Sequence, residues 1–438
     1  MTRKKDGWVR ALISRLPKAL KVAILRAVYL PASAGGFMAT VSVLRSLKVL
    51  RRPSRRANNQ PRRILVSYPY GNLGDLVLTL PMLEALHVTW PSAMIDVAVH
   101  ARVADLLTGI PFVGDVYRFP NRNSEIPELT SYLRILDTIT IYRKQMVHRN
   151  YDLAISARWG EDPSYGSYLM YLTGAPRRYG YSASVTGRNV GADRVLTHVA
   201  AGGHHEQEAL RILRLLNRVG LRSESPEDED VVTAPIALLQ DAAKLHRQEL
   251  AKPPLDAIRG EYIVLAPGAM VPRKLWPAEE FMGTIEKLQQ RNDATFVVIG
   301  SGDEAAGCQE LVNRFPERAI SLAGKTTLHQ LIAVIANATL FIGNDSGPAH
   351  IAGALGIPTV VVNFFPSSCK LEHDSSPARF RPCGPRIAIV QPAEPLPPCN
   401  PCCSMDEPHC IQQVSVDQVL AAVDVLIPSG HGLPATVR

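Results

Sequence analysis

The feature that most constrains this chain is an alternation of short apolar strands, glycine-bearing loops and amphipathic helices that runs its course and then starts again. Ile64-Leu65-Val66-Ser67-Tyr68 has the length and character of a buried strand. Gly71-Asn72-Leu73-Gly74-Asp75 follows it, then a helical run from Leu76 to Val88, a turn at Pro91-Ser92-Ala93 and a second strand, Ile95–Val99. Strand, loop, helix, turn, strand is a βαβ unit, and such units build parallel sheets covered by helices on both faces. Tyr151–Ser156 reads as a further strand, and Glu206–Val219 as an amphipathic helix ending at Gly220.

After the acidic run Glu224–Asp230 the alternation restarts. It gives helix Ala237–Leu250, strand Tyr262–Ala266, helix Pro277–Arg291, strand Thr295–Ile299, a helix from Glu304, a strand near Ala319–Leu322 and helix Leu328–Ala336. Strand Leu340–Gly343, helix Pro348–Leu355, strand Thr359–Asn363 and a last helix, Val416–Leu426, complete it. The expected fold class is therefore α/β: two doubly wound, Rossmann-like domains facing across a cleft, with ligand loops at the C-terminal ends of their strands. The expected boundaries are an arm and linker over residues 1–60, a first domain over 61–235, a second over 236–427 and a tail over 428–438.

Length and charge fit that division. A chain of 438 residues is too long for one core and ample for two domains. The net charge of +8 is unevenly spread: residues 1–63 hold 16 Lys and Arg against one acid, Asp6, leaving 32 basic and 39 acidic residues in the rest. The body is thus mildly acidic, which gives no reason to expect nucleic acid as a partner. In the arm, Trp8, Leu12, Leu16, Ala19, Leu20 and Ala23 recur at helical spacing among Arg and Lys, with Pro17 interrupting. A basic helix with an apolar stripe suits an anionic membrane surface; a solvated arm, or a helix packed on the body, explains the pattern equally well. Residues 27–44 are uncharged but broken by Pro31, Gly35 and Gly36, too poor a run for a membrane span. No secretory signal is apparent, so the expected location is the cytoplasm, at the inner face of the membrane if the arm binds lipid.

The chemistry gathers in three places. At Asn344-Asp345-Ser346-Gly347-Pro348-Ala349-His350 a buried strand runs into a polar loop and a helix start, where free backbone N–H groups and the helix dipole favour a diphosphate. An ordinary N-cap explains Asp345 and Ser346 as well. The loop Pro267-Gly268-Ala269-Met270-Val271-Pro272-Arg273-Lys274 brings a cation, Lys274, toward the same edge of the sheet; a solvated surface lysine is its plain alternative. Asp75, after the first strand of the first domain, is placed for a general base, or simply caps a helix starting at Leu76.

Together these segments resemble a known family. Gly-Asn-Leu-Gly-Asp-Leu-Val-Leu-Thr-Leu-Pro (71–81), Arg-Lys-Leu-Trp-Pro-Ala-Glu-Glu-Phe (273–281), Gly-Ser-Gly-Asp-Glu (300–304), Leu-Ala-Gly-Lys-Thr-Thr-Leu (322–328) and Asn-Asp-Ser-Gly-Pro-Ala-His-Ile-Ala (344–352) are similar, in order, to glycosyltransferase family 9, the ADP-heptose:lipopolysaccharide heptosyltransferases. The resemblance covers roughly residues 62–427. It implies a GT-B fold and an inverting transfer from a nucleotide-sugar donor to a glycolipid or glycan acceptor, with no cofactor required. It implies Asp75 as the base and Lys274 as the cation on the departing diphosphate. Asp345 matches the donor-sugar contact, and Ser346, Gly347 and His350 the diphosphate turn. Gly74, Gly268 and Ala269 fall on substrate-binding loops, and Glu304 near the ribose, where Asp303 competes with it. After Val362 the sequence departs from the family's pattern, reading Asn363-Phe364-Phe365-Pro366-Ser367-Ser368, which opens the identity of the sugar. Alternatives are another nucleotide sugar on the same fold, or a binding protein without activity; the pair Asp75 and Lys274 argues against the latter. A dinucleotide dehydrogenase is disfavoured because Gly71–Asp75 lacks the glycine spacing of a pyrophosphate loop.

Four of the seven cysteines, Cys399, Cys402, Cys403 and Cys410, crowd the segment 399–410 beside His409. They read as a structural clip, either reduced or holding zinc or iron through the four thiols.

Overall fold

In a computed structural model, which describes residues 37–38, 60–120, 127–159, 162, 164–186, 192–223, 228–369 and 375–428, both alternations form six-stranded parallel sheets. The first contains β1 (Arg63–Tyr68), β2 (Met94–His100), β3 (Val113–Phe119), β4 (Leu153–Ser156), β5 (Arg177–Tyr181) and β6 (His198–Ala200), in the order β3-β2-β1-β4-β5-β6. The second contains β7 (Tyr262–Ala266), β8 (Thr295–Val298), β9 (Ala319–Ser321), β10 (Leu340–Asn344), β11 (Thr359–Val362) and β12 (Ile387–Val390), in the order β12-β11-β10-β7-β8-β9. Each sheet starts at its centre, runs outward to one edge and then returns to build the other half. The resulting switch points lie between β1 and β4 and between β7 and β10, where ligand loops of parallel sheets gather.

Among the described residues the α-helices of five residues or more are α1 (Leu73–Val77), α2 (Leu80–Thr89), α3 (Pro127–Ile141), α4 (Gly166–Thr173), α5 (Glu208–Arg218), α6 (Ala237–His246), α7 (Ala278–Gln289), α8 (Ala305–Asn313), α9 (Leu328–Ala336), α10 (Gly347–Leu355) and α11 (Val416–Leu426). Local chemistry sets their ends. Thr327 with Gln330 and Ser415 with Gln418 form capping boxes at α9 and α11. Gly356, at φ +82°, closes α10 in the left-handed conformation, with Ile357 N–H bonded back to Ala352 O at 3.0 Å.

The helix read over Leu76–Val88 is two helices. Pro81 has no N–H to donate to Val77 and its ring would strike that carbonyl, so the chain breaks at Leu78-Thr79. Strands β3, β5 and β6 lack the apolar runs that revealed the others: Gly114-Asp115 interrupts β3, and β5 reads Arg-Arg-Tyr-Gly-Tyr; β12, Ile-Ala-Ile-Val, is apolar but only four residues long and was not expected.

The chain divides into two compact units, and the division is not a single cut. The first unit takes residues 1–71, 82–203 and 212–224; the second takes Asn72–Pro81, His204–Arg211 and 225–438. The helix carrying Asp75 therefore belongs with the second sheet. In the first unit a core of Leu65, Ala98, Tyr117, Ala154 and Leu169 also takes in Phe37, whose ring stacks on Tyr168 at 4.2 Å. The rest of residues 1–59, on which the arm and its membrane contact were read, lies outside the described residues. Among the described residues no helix is long and apolar enough to cross a membrane.

Candidate functional site

The second unit's switch point assembles the candidate site. β7 and β10 are neighbours, so the loop after β7 and the turn after β10 emerge side by side. A buried asparagine joins them: Asn344, at the end of β10, accepts from the Trp276 N–H at 3.1 Å and donates to Pro267 O at 2.6 Å. A polar side chain with no exposure must be satisfied within the protein, and here it holds both ends of the 267–276 loop. The sequence placed Asn344 in the diphosphate segment but gave it no role of its own. The available signal was an amide at the end of an otherwise apolar strand.

That loop ends in a 3-10 turn, Pro272–Lys274. Lys274 Nζ donates to Asp345 Oδ2 at 2.7 Å, and Asp345 Oδ1 lies 4.0 Å from His350 Nε2. The structure thus brings together Lys274, Asp345, Ser346, Gly347 and His350. Asp345 itself continues the sheet ladder, its N–H bonded to Val362 O at 3.1 Å. His350 is buried, and desolvation holds its imidazole down at about 4, with Asp345 opposing the shift and Lys274 adding to it. It is neutral at neutral pH.

Capping does not account for this turn. Ser346 occupies the N-cap of α10 but makes no side-chain cap bond, and its Oγ is buried without a partner. Among the described residues nine buried side-chain polar atoms lack partners, and three are here: Arg273 Nε, Ser346 Oγ and His350 Nδ1. Such atoms cost free energy and are rare without a reason. Set at a helix N-terminus beside a lysine, they form a place for an anion.

Gly74 and Gly347 have a packing role. A Cβ on Gly74 would lie 2.6 Å from His350 Cδ2, and one on Gly347 would lie 2.7 Å from Leu73 Cβ. The two glycines let α1 lie flush on α10. Asp75 is inside the first turn of α1, not at its cap; Asn72 holds the N-cap position and donates from Nδ2 to Asp75 Oδ2 at 3.0 Å. Gly268 makes room of the same kind, since a Cβ there would run into the Glu304 carboxylate. That carboxylate accepts from Ser301 N–H at 2.6 Å, whereas Asp303 is exposed. Of the two acids it is Glu304 that reaches the β7 loop beside Ala269.

The divergent segment 363–368 turns inward over its first four residues, and Ser367 and Ser368 are exposed. Asn363 Oδ1 accepts from Phe365 N–H at 2.8 Å, Phe364 and Phe365 are buried, and the Arg273 guanidinium lies 5.2 Å over the Phe364 ring. The first unit's switch point holds a second polar group that sequence reading missed. Asp162 caps α4 through Gly166 and Ser167 N–H and accepts from the Tyr70 hydroxyl, while Arg158 stacks over Tyr70 at 4.7 Å.

The cysteine cluster differs in membership from the expected set. Cys402 is joined to Cys369 in a disulfide. Cys399, Cys403 and Cys410 converge with His409, their four ligand atoms within 4.8 Å of one another. Cys402 leaves because its neighbour, Cys403, faces the cluster, and His409 takes the fourth place.

Comparison with known proteins agrees with this architecture. Residues 139–407 match the family model for glycosyltransferase family 9 (heptosyltransferase), a span that begins after Asp75. Lipopolysaccharide heptosyltransferase 3 of Escherichia coli K12 is 27% identical over 297 residues, 66% of this chain and 78% of that one. Lipooligosaccharide heptosyltransferase 2 of Haemophilus influenzae is 22% identical over 298 residues, 66% of this chain and 80% of that one. Among solved structures, a family 9 glycosyltransferase from Veillonella parvula superposes with TM-score 0.61 at 20% identity, covering 83% of this chain and 97% of that one. The E. coli heptosyltransferase WaaC with ADP gives 0.61 at 18%, covering 83% and 99%. The fold is GT-B-like, with two parallel six-stranded sheets.

Proposed function

The chain belongs to glycosyltransferase family 9, the heptosyltransferase family, and from that premise we propose that it transfers a heptose from ADP-heptose to a lipopolysaccharide-core or related glycan, with inversion. It is a glycosyltransferase; the donor, the acceptor and the stereochemistry are the proposal. The observation that carries it is Lys274 Nζ held 2.7 Å from Asp345 at the start of α10, beside the unpartnered Ser346 hydroxyl. A diphosphate bound there meets a fixed cation, a hydroxyl donor and the positive end of a helix.

In the proposed step the Asp75 carboxylate takes the proton of an acceptor hydroxyl. The oxygen attacks the anomeric carbon, and the carbon–oxygen bond to the diphosphate breaks. The electron pair leaves with the diphosphate, where Lys274 and the α10 N-terminus meet the added charge. One in-line displacement inverts the anomeric centre. Asp345 keeps Lys274 extended over the turn before the donor arrives and then turns an oxygen to the sugar. Neutral His350 has no charge to set against Lys274 and keeps Nδ1 available as a hydrogen-bonding atom. Glu304 serves the ribose. A glycolipid acceptor makes a membrane surface the place of action, and the basic residues 1–60 supply the contact; deleting them should lower binding to anionic vesicles.

Incubation with a panel of nucleotide sugars tests the donor. ADP-heptose should give acceptor-dependent release of ADP, and release only from another nucleotide sugar would refute the assignment. Asp75→Ala should cut kcat by about 10²–10⁴ while leaving ADP affinity within about twofold. Full turnover in that variant would remove Asp75 from the mechanism.

A further inference from the structure

The segment 391–415 crosses from β12 to α11 with only one short 3-10 turn, Cys410–Gln413, as regular structure. Long connections of this kind inside a packed domain need something to fix them. Three of its cysteines, Cys399, Cys403 and Cys410, are free thiols buried in the core of the second unit with Ile411, Val414 and Trp276. They face one point, and His409 faces it too.

The geometry points to a zinc site: we propose that Cys399, Cys403, Cys410 and His409 hold one Zn²⁺ in a closed, tetrahedral Cys₃His set. His409 Nδ1 lies 3.5 Å from Cys399 Sγ and 3.6 Å from Cys410 Sγ. With Zn–S near 2.3 Å and Zn–N near 2.0–2.1 Å, the edge between sulfur and nitrogen in a tetrahedron is about 3.5 Å. The limit of 4.8 Å on every pair of ligand atoms leaves the sulfur–sulfur edges, about 3.8 Å at those bond lengths, within reach. The spacing Cys399-x₃-Cys403 is that of a knuckle, closed by the adjacent pair His409-Cys410.

The surroundings of the sulfurs support the same reading. Leu396 N–H donates to Cys410 Sγ at 3.4 Å, and the Ser404 hydroxyl points at Cys399 Sγ at 3.9 Å. Donors aimed at sulfur are the outer-shell partners expected of thiolate ligands. Three thiols and an imidazole satisfy four-coordinate zinc completely, so the ion is structural and leaves no open position for chemistry.

The knot also has a consequence for Lys274. Val414, at the end of the 3-10 turn, accepts from Trp276 Nε1 at 2.9 Å, and Trp276 N–H is the group that Asn344 holds. Zinc at Cys410 thus braces Trp276, two residues from Lys274, and acts on transfer only by position.

Elemental analysis of the full chain, purified without chelator, is the test. One zinc per chain is expected. Titrating the thiols of the wild-type protein with a mercurial should release that zinc to a metallochromic dye, which requires no variant to fold. Cobalt in its place should show the visible absorption of a tetrahedral thiolate site. Cys403→Ser and Cys410→Ser should lose the metal, and Cys402→Ser should keep it. Loss of zinc should shift Trp276 fluorescence to the red, a change absent from Trp276→Phe. Absence of stoichiometric metal, or its retention in Cys410→Ser, overturns the site. Iron at one equivalent overturns the choice of zinc, and loss in Cys402→Ser equal to that in Cys410→Ser overturns the choice of ligands.

Discussion

Each unit buries a polar cluster on its sheet, and the two clusters are finished to different degrees. In the first unit, Asp96 on β2 has no exposure and uses both oxygens. It takes Arg63 at 2.6 Å and 2.9 Å, Asp115 N–H at 3.0 Å and the Tyr151 hydroxyl at 2.6 Å, and Tyr151 also bonds Tyr117 at 2.8 Å. Burial and the neighbouring Asp96 push the Tyr151 hydroxyl far up, so it remains a donor. In the second unit, Lys274 and Asp345 are paired, yet Arg273 Nε, Ser346 Oγ and His350 Nδ1 have no partner. A closed network stabilises a sheet and has nothing left to bind with. An open one forgoes stability and keeps donors ready for a ligand. The contrast separates scaffold from site without reference to either cluster's charge.

The largest effect that would sharpen the contrast is on turnover. Lys274→Ala should lower kcat by about 10²–10³ with little change in the unfolding midpoint, because the lost interaction strengthens only as the diphosphate departs. Equal loss of stability and activity would erase the distinction. The mirror experiment is Asp96→Ala, which removes the short contacts of Arg63 and Tyr151 and leaves Arg63 only the 3.4 Å contact to Asp115. It should cost on the order of 3–5 kcal/mol in denaturant unfolding, with kcat of the folded fraction unchanged.

A pH series probes the open cluster through His350, with the variant as the control for other titrating groups. The imidazole of His350 has an unfolded-state pKa near 6.5 and a folded-state value of about 4. Between those values the unfolded chain binds the proton and the folded chain does not. Stability should therefore fall as pH drops from 6.5 to about 4, by on the order of 3 kcal/mol in total, and level off below. His350→Gln should flatten that part of the curve in urea titrations; an unchanged slope would assign the effect elsewhere.

Much of this arrangement was legible in sequence, and what was not has specific physical causes. The central strands of both sheets announce themselves because parallel strands buried on both faces are apolar throughout. The edges of the first sheet do not: β6 is three residues long, and β3 carries Asp115 facing Arg63. At the candidate site, Lys274, Asp345, Ser346 and His350 were named from their place beside a strand end and a helix start, and the structure brings them together. Gly74 and Gly347 were found for a different reason from the one the structure gives, since packing of α1 on α10 leaves no space for a Cβ. Asn344 was named only as the first residue of the diphosphate segment, because its bridging role depends on Pro267 and Trp276, about seventy residues away in sequence. Cys402 was grouped with its neighbours because sequence spacing does not say which way consecutive side chains point; Cys403 faces the knot and Cys402 faces Cys369.

The smallest change gives the most direct test, because its two readouts move in opposite directions. Ser346→Ala removes a buried hydroxyl that has no partner in the free protein and donates to the diphosphate in the proposed complex. Measured by urea unfolding and by ADP calorimetry on the same preparation, the variant should be as stable as the wild type or more stable by up to about 1 kcal/mol. It should bind ADP about tenfold more weakly, the loss of one hydrogen bond to a charged group. Lower stability with unchanged ADP affinity would show that Ser346 is an ordinary structural residue, and would contradict the placement of the donor diphosphate at the start of α10.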